Sequence, residues 1–142
     1  GFVADGVAHY LSRLQALQPS DCEEVRAASH SGRNVERSLR TEGEALLARL
    51  THDEWVVLLD ERGQRFDSVE FAQKLADWRE RATRVTFIIG GAFGVSEAVR
   101  ARANGHLSLS PLTFPHQLVR VILLEQLYRA CSLLAGHGYH HA

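Results

Sequence analysis

Two hydrophobic periods alternate along this chain. Val3, Val7, Leu11, Leu14 and Leu17 recur at three- and four-residue steps ahead of Pro19, which predicts an amphipathic helix over 2–17. A weak strand is expected around Cys22–Ala27. The polar segment SHSGRN then leads to Asn34, a good N-cap for a second helix marked by Val35, Leu39, Leu46, Leu47 and Leu50 and mildly interrupted at Gly43. Trp55 to Leu59 is continuously apolar, as a strand buried on both faces should be, and Asp60 with the turn ERGQ is expected to close it. Asp67 and Glu70 have capping-box spacing for a helix to Arg81 with Phe71, Leu75 and Trp78 facing the core.

Val85 to Ile89 repeats the apolar run and breaks at Gly90-Gly91-Ala-Phe-Gly94. Ser96 caps a short helix to about Ala103, and Leu107–Leu109 is β-compatible. Pro115 suits the first position of a last helix, since its missing N–H has no partner there anyway, and Phe114 before it is pushed out of the helical region. That helix runs to about Ala135 and stops at Gly136. Strands alternating with helices predict an α/β domain over 1–142, with a mainly parallel sheet and helices on both faces. The chain opens on a helix where this alternation calls for a strand, so a first strand is expected ahead of Gly1; the absence of any methionine agrees with that expectation.

Composition narrows the class. A chain of 142 residues with 45% hydrophobic content buries a core without staples. The richest apolar run, 118–135, carries Arg120, Glu125, Gln126 and Arg129, so no membrane span is expected. Cys22 and Cys131 have neither CxxC spacing nor a signal peptide before them, which predicts free thiols and a cytoplasmic location. The net charge of −1 hides a basic C-terminal half: residues 1–60 hold 6 Lys and Arg against 10 Asp and Glu, whereas 61–142 hold 10 against 7. All the basic residues but Lys74 are Arg, which suits planar and phosphate partners but equally follows from compositional bias.

In parallel sheets ligands gather at the carboxyl ends of strands, here Leu59-Asp60, Gly90-Gly91 and Leu109-Ser110. The glycines let a ligand approach the backbone, though a tight turn needs them as well. The loop GGAFG is not GxGxxG, and no acidic residue closes a following strand to hold a ribose, which argues against a nucleotide-binding oxidoreductase that would take NAD. On the last helix His116 and Arg120 share one face and Glu125 and Arg129 the opposite one, with apolar flanks between. Such a helix fits burial against a second copy, a helix-to-helix homodimer contact. Glu125 and Arg129 can equally be a plain i,i+4 pair. His137, His140 and His141 lack a cysteine or carboxylate at ligand spacing, so no metal is expected. No Ser-His-Asp arrangement or Walker loop is visible. From the residues alone the chain is a small α/β protein with a candidate cleft.

LLDERG, FIIGGAFG, LSLSPLTFPHQLVRVILLEQLYRA and AGHGYHH, in this order and spacing, closely resemble the ribosomal RNA large-subunit methyltransferase H family of the SPOUT class. The resemblance covers the whole chain and is strongest from Leu58 onward. It implies a homodimer with a C-terminal deep trefoil knot, S-adenosylmethionine as cofactor, and methylation of N3 of a pseudouridine in 23S rRNA of the assembled ribosome. Carried over by motif, the cofactor contacts are Leu59, Gly90, Leu109, Ser110, Pro111, Leu112, Thr113 and Phe114. The target side is Glu125, Arg129, Tyr139 and His140, with His116 and Arg120 as substrate-binding candidates. Two positions depart from the family: His141 stands where a basic residue is frequent, and Gly138 replaces a common proline. A catalytically inactive dimeric module that keeps the fold, binding RNA or cofactor, is the alternative from another class.

Overall fold

The computed structural model describes residues 1–25 and 34–141. Its elements are α1 (Phe2–Leu17), α2 (Val35–Ala48), β1 (Trp55–Arg65), α3 (Ser68–Arg81), β2 (Val85–Ile88), α4 (Glu97–Arg102), β3 (Gly105–Ser108), α5 (His116–Leu134) and a 3-10 turn at Gly138–His141. The three strands form one parallel sheet in the order β2-β1-β3. As the central strand, β1 is shielded on both faces, so Val56, Val57 and Leu58 are at most 1% exposed. Alternation along the strand sends Val57 into a core with α1, α3 and α5, and Val56 and Leu58 into a second core with Val99 of α4 and the leucines of α2. Helices therefore cover both faces, as the alternating pattern implied.

Local chemistry fixes the helix ends. The Glu70 N–H donates to Asp67 Oδ1 at 2.8 Å and the Asp67 N–H to Glu70 Oε1 at 2.9 Å, completing the capping box of α3. Phe71 and Trp78 then meet Phe87 of β2 edge to face, with centroids 6.2 Å apart in each pair. Ser96 caps α4 through the Val99 N–H. Gly136 takes φ +77 just past α5, a conformation that favours glycine and ends the helix. Gly43 has a packing role as well: a Cβ there would run into Ser96 and Val99, so its bare backbone is what lets α2 lie on α4.

Five expectations need correction. Asp60 does not close β1. The strand continues to Arg65, and both Leu59 and Gln64 pair with Leu107, so residues 60–63 bulge out between them. Polar residues and a glycine serve a bulge as well as a turn, and Gly63 lies so close to β3 that a Cβ would sit 2.6 Å from the His106 carbonyl carbon. Cys22–Val25 of the expected strand Cys22–Ala27 is irregular, with no strand partner among the described residues; Arg26 and Ala27 lie outside them. The third strand is Gly105–Ser108 rather than 107–109, because the Leu112 N–H bonds Ser110 Oγ and the Ser108 hydroxyl bonds the Ser110 carbonyl, turning the chain away. Pro115 is the N-cap of α5, one position earlier than expected, since its carbonyl already accepts from Leu118 and Val119. Asn34 occupies the N-cap of α2 but caps it with its carbonyl, to the Ser38 N–H, and not with its side chain.

Candidate functional site

The bulge of β1 and the carboxyl ends of β2 and β3 open on one cavity of about 360 Å³. Its walls are Leu58 to Arg62 at the bulge of β1, Ile89 to Ala92 after β2, and Leu107, Leu109, Ser110, Leu112 and Phe114 around β3 and its exit loop. His116 and Val119 of α5 close one side. The glycine turn is built by an antiparallel bridge between Gly91 and Gly94, with Gly94 at φ +81. A Cβ on Gly90 would come within 3.1 Å of the Gly94 carbonyl group, so this turn is tight only because Gly90 has no side chain. Thr113 Oγ1 donates to Glu61 Oε2 at 3.2 Å and ties the exit loop to the bulge of β1.

Of the eight residues expected around a cofactor, Leu59, Gly90, Leu109, Ser110, Leu112 and Phe114 line this cavity. Pro111 and Thr113 are exposed and do not. The lining includes an ion pair of which only one member, Asp60, is marked by the sequence, as part of the expected strand end Leu59-Asp60. Asp60 and Arg100 form this pair at 2.6 Å on the cavity wall. Arg100 carried no local signal, because it reaches Asp60 from α4 across forty positions of sequence. The Asp60 carboxyl is held below its ordinary 3.8, first by the Arg62 backbone N–H and then by Arg100.

A second, larger cavity of about 1020 Å³ runs beside β2, between α5, residues 18–25 and α2. His116 borders both cavities, and Arg120 borders the larger one. Arg120 donates to Gln117 Oε1 at 2.9 Å and lies 3.9 Å from Glu24 Oε2.

Glu125, Arg129, Tyr139 and His140 come together elsewhere. Arg129 Nε and Nη2 both donate to Glu125 Oε1, at 2.9 and 2.7 Å. The guanidinium lies 4.9 Å from the centre of the Tyr139 ring, which itself packs edge to face on Tyr128 at 4.6 Å. Arg129 Nη1 also approaches His140 Nδ1 at 3.3 Å. The bonds to Glu125 raise the Arg129 pKa further. Burial, then the Glu125 charge, pushes the Tyr139 phenol above its ordinary value of 10.0. The i,i+4 pair is thus the base of a four-residue cluster that the C-terminal turn completes. None of the four borders either cavity. Glu125 lies nine positions beyond His116 on α5, about 14 Å along the axis at about 1.5 Å per residue.

A family model described as "Predicted SPOUT methyltransferase" matches residues 1–140. The chain belongs to the SPOUT methyltransferase family. Similar proteins include ribosomal RNA large subunit methyltransferase H of Trichlorobacter lovleyi, 42% identical over 99% of this chain and 91% of the relative. The proteins of the same name from Thioalkalivibrio sulfidiphilus and Gloeobacter violaceus are 45% and 49% identical, each over 94% of this chain and 86% of the relative. In this SPOUT methyltransferase no helix among the described residues is long and apolar enough to cross a membrane. Nor, among them, does any group of three or more His, Cys, Asp or Glu residues stand close enough to hold a metal ion.

Proposed function

We propose that this protein transfers a methyl group from S-adenosylmethionine to N3 of a pseudouridine in 23S rRNA of the assembled ribosome, in the cytoplasm. The observation that carries this reading is the convergence of the β1 bulge and the loops after β2 and β3 on one cavity, six of whose lining residues are those the family motifs assign to the cofactor. Its volume of about 360 Å³ lies in the range of small-molecule sites, roughly 300–1,000 Å³. Its surfaces suit the donor: Leu59, Leu109 and Phe114 offer apolar cover for a purine, Gly90 offers open backbone, and Asp60 and Arg100 offer charge. When bound, S-adenosylmethionine supplies a methyl group on a sulfonium, an already activated donor.

What remains for the chain is to align the base and take its proton. Arg129 holds Glu125 by Oε1, and the Gln126 amide, itself bonded to Ser68, holds Oε2 at 3.1 Å. Glu125 is thereby fixed in one orientation. In this reading its carboxylate takes the proton from N3, with His140 as the next candidate. Arg129 balances the negative charge that develops on the ring, and Tyr139 and His140 position the base. His116 and Arg120 contact the RNA beside the cofactor.

The same reading includes a homodimer. Within one chain the Glu125 cluster lies well away from the cofactor cavity, so a second copy brings its cluster to the first copy's cavity. The apolar and half-buried Leu118, Val119, Val121 and Ile122 of α5 are suited to that contact. A deep trefoil knot in the C-terminal part belongs to this reading as well. Incubation of ribosomes with methyl-labelled S-adenosylmethionine tests the proposal. Label in pseudouridine of 23S rRNA from assembled ribosomes is the expected result. Unlabelled ribosomes, with active protein and donor present, would overturn it.

A further inference from the structure

The cavity given above to the methyl donor has an ion pair in its wall, beside apolar side chains. Asp60 Oδ2 accepts from Arg100 Nη1 at 2.6 Å, and Asp60 Oδ1 accepts from the Arg62 backbone N–H at 3.0 Å. The Arg62 guanidinium, 83% exposed, stands 3.6 Å from Oδ1, and His106 Nδ1 is 3.9 Å from Oδ2. The Asp60 side chain is 13% exposed and that of Arg100 33%. Leu59, Leu107, Leu109 and Val95 line the cavity around them.

A ligand that fills such a cavity strips water from both charges, which costs free energy unless the ligand brings complementary charges of its own. A carboxylate accepts more bonds than the two that Asp60 receives, and a guanidinium has donors beyond the one Arg100 gives to Asp60. The pair can therefore bind a zwitterion without breaking. S-adenosylmethionine ends in an α-ammonium and an α-carboxylate. We propose that Asp60 and Arg100 are the recognition pair for this amino-acid tail, Asp60 accepting from the ammonium and Arg100 donating to the carboxylate. The proposal rests on the reading of the cavity as the methyl-donor site. It gives selectivity for the complete cofactor over adenosine thioethers that lack the tail.

Calorimetric titration of the wild-type protein, Asp60→Asn, Arg100→Met and Arg100→Lys tests it with three probes: S-adenosylmethionine, S-adenosylhomocysteine and 5′-methylthioadenosine. The last has the adenosine and thioether but no amino-acid part. The wild type is expected to bind S-adenosylhomocysteine about tenfold or more tighter than 5′-methylthioadenosine, as charge-assisted bonds imply. In Asp60→Asn and Arg100→Met that gap shrinks to about threefold or less with 5′-methylthioadenosine affinity unchanged, and Arg100→Lys keeps part of it. An unchanged gap in both variants overturns the proposal. So does equal weakening of both probes, the mark of a mere tie between β1 and α4. Should Asp60→Asn fail to fold, Arg100→Met, altered at a more exposed side chain, decides alone. If the wild type binds none of the three probes, it is the methyl-donor reading that falls.

Discussion

The Arg129 guanidinium gives two hydrogen bonds to a single oxygen of Glu125, Oε1, at 2.9 and 2.7 Å. Both side chains are largely shielded, at 22% and 16% exposed, so the pair is a firm orienting contact rather than a solvated surface bridge. This grip leaves Oε2 as the oxygen turned to other partners, and it makes Glu125 the sharpest point at which to test the site.

Glu125→Gln keeps the shape and can still accept from Arg129 but loses the charge and the proton-accepting carboxylate. Methylation of ribosomes is expected to fall about 100-fold or more, within the usual range for removing a general base. Affinity for S-adenosylmethionine should stay within about twofold, since the residue lies outside the cavity. Single-turnover kinetics beside calorimetry reads both; full activity in the variant removes Glu125 from the chemistry.

Gly63→Ala places a methyl group against the backbone of His106 and Leu107, where no side-chain rotation relieves the contact. The junction of β1 with β3 must open, at a cost of about 1–3 kcal/mol. Because the bulge of β1 is also a cavity wall, cofactor affinity should drop together with the melting temperature. A variant as stable and as tight-binding as the wild type would contradict the close approach.

Gly43→Ala sets helix propensity against packing. An alanine in mid-helix gains about 1 kcal/mol over glycine. Here its methyl group displaces Ser96, which caps α4, and presses on Val99, which is wholly buried. Overpacking at about 1–3 kcal/mol together with a lost cap at about 1 kcal/mol outweighs the gain. Chemical denaturation should show a net loss of stability, and a more stable variant would refute the packing.

Acid should weaken the fold through Asp60. Its pKa is lowered in the folded protein, so its contribution is present above the unfolded value near 3.8 and is lost as pH falls through the lower folded value. Glu54 adds in the same sense: burial alone would raise it, but bonds from the Thr86 hydroxyl and the Thr51 backbone bring it below 4.5. Urea denaturation between pH 6 and about pH 3 should show stability falling, with a shallower fall in Asp60→Asn. An identical slope in that variant would show that Asp60 contributes nothing.

Short-range contacts explain what the sequence by itself determined. Helix faces such as Phe71, Leu75 and Trp78, the capping box of Asp67 and Glu70, the stop at Gly136 and the apolar runs of β1 and β2 each depend on residues a few positions apart, and each stands in the structure. The motif residues Gly90 and Leu109 also follow the ends of β2 and β3, where a parallel sheet should put ligand-facing residues. Only the tertiary structure decided the rest. The bulge after Leu59 depends on β3 lying against Gly63, and the Asp60–Arg100 pair on α4 folding over β1. The distance between the cavity at the β1 bulge and the Glu125 cluster follows from the length and placement of α5. A one-dimensional pattern records which side of an element must be buried, but which distant segment buries it is settled by the closest packing of the whole chain.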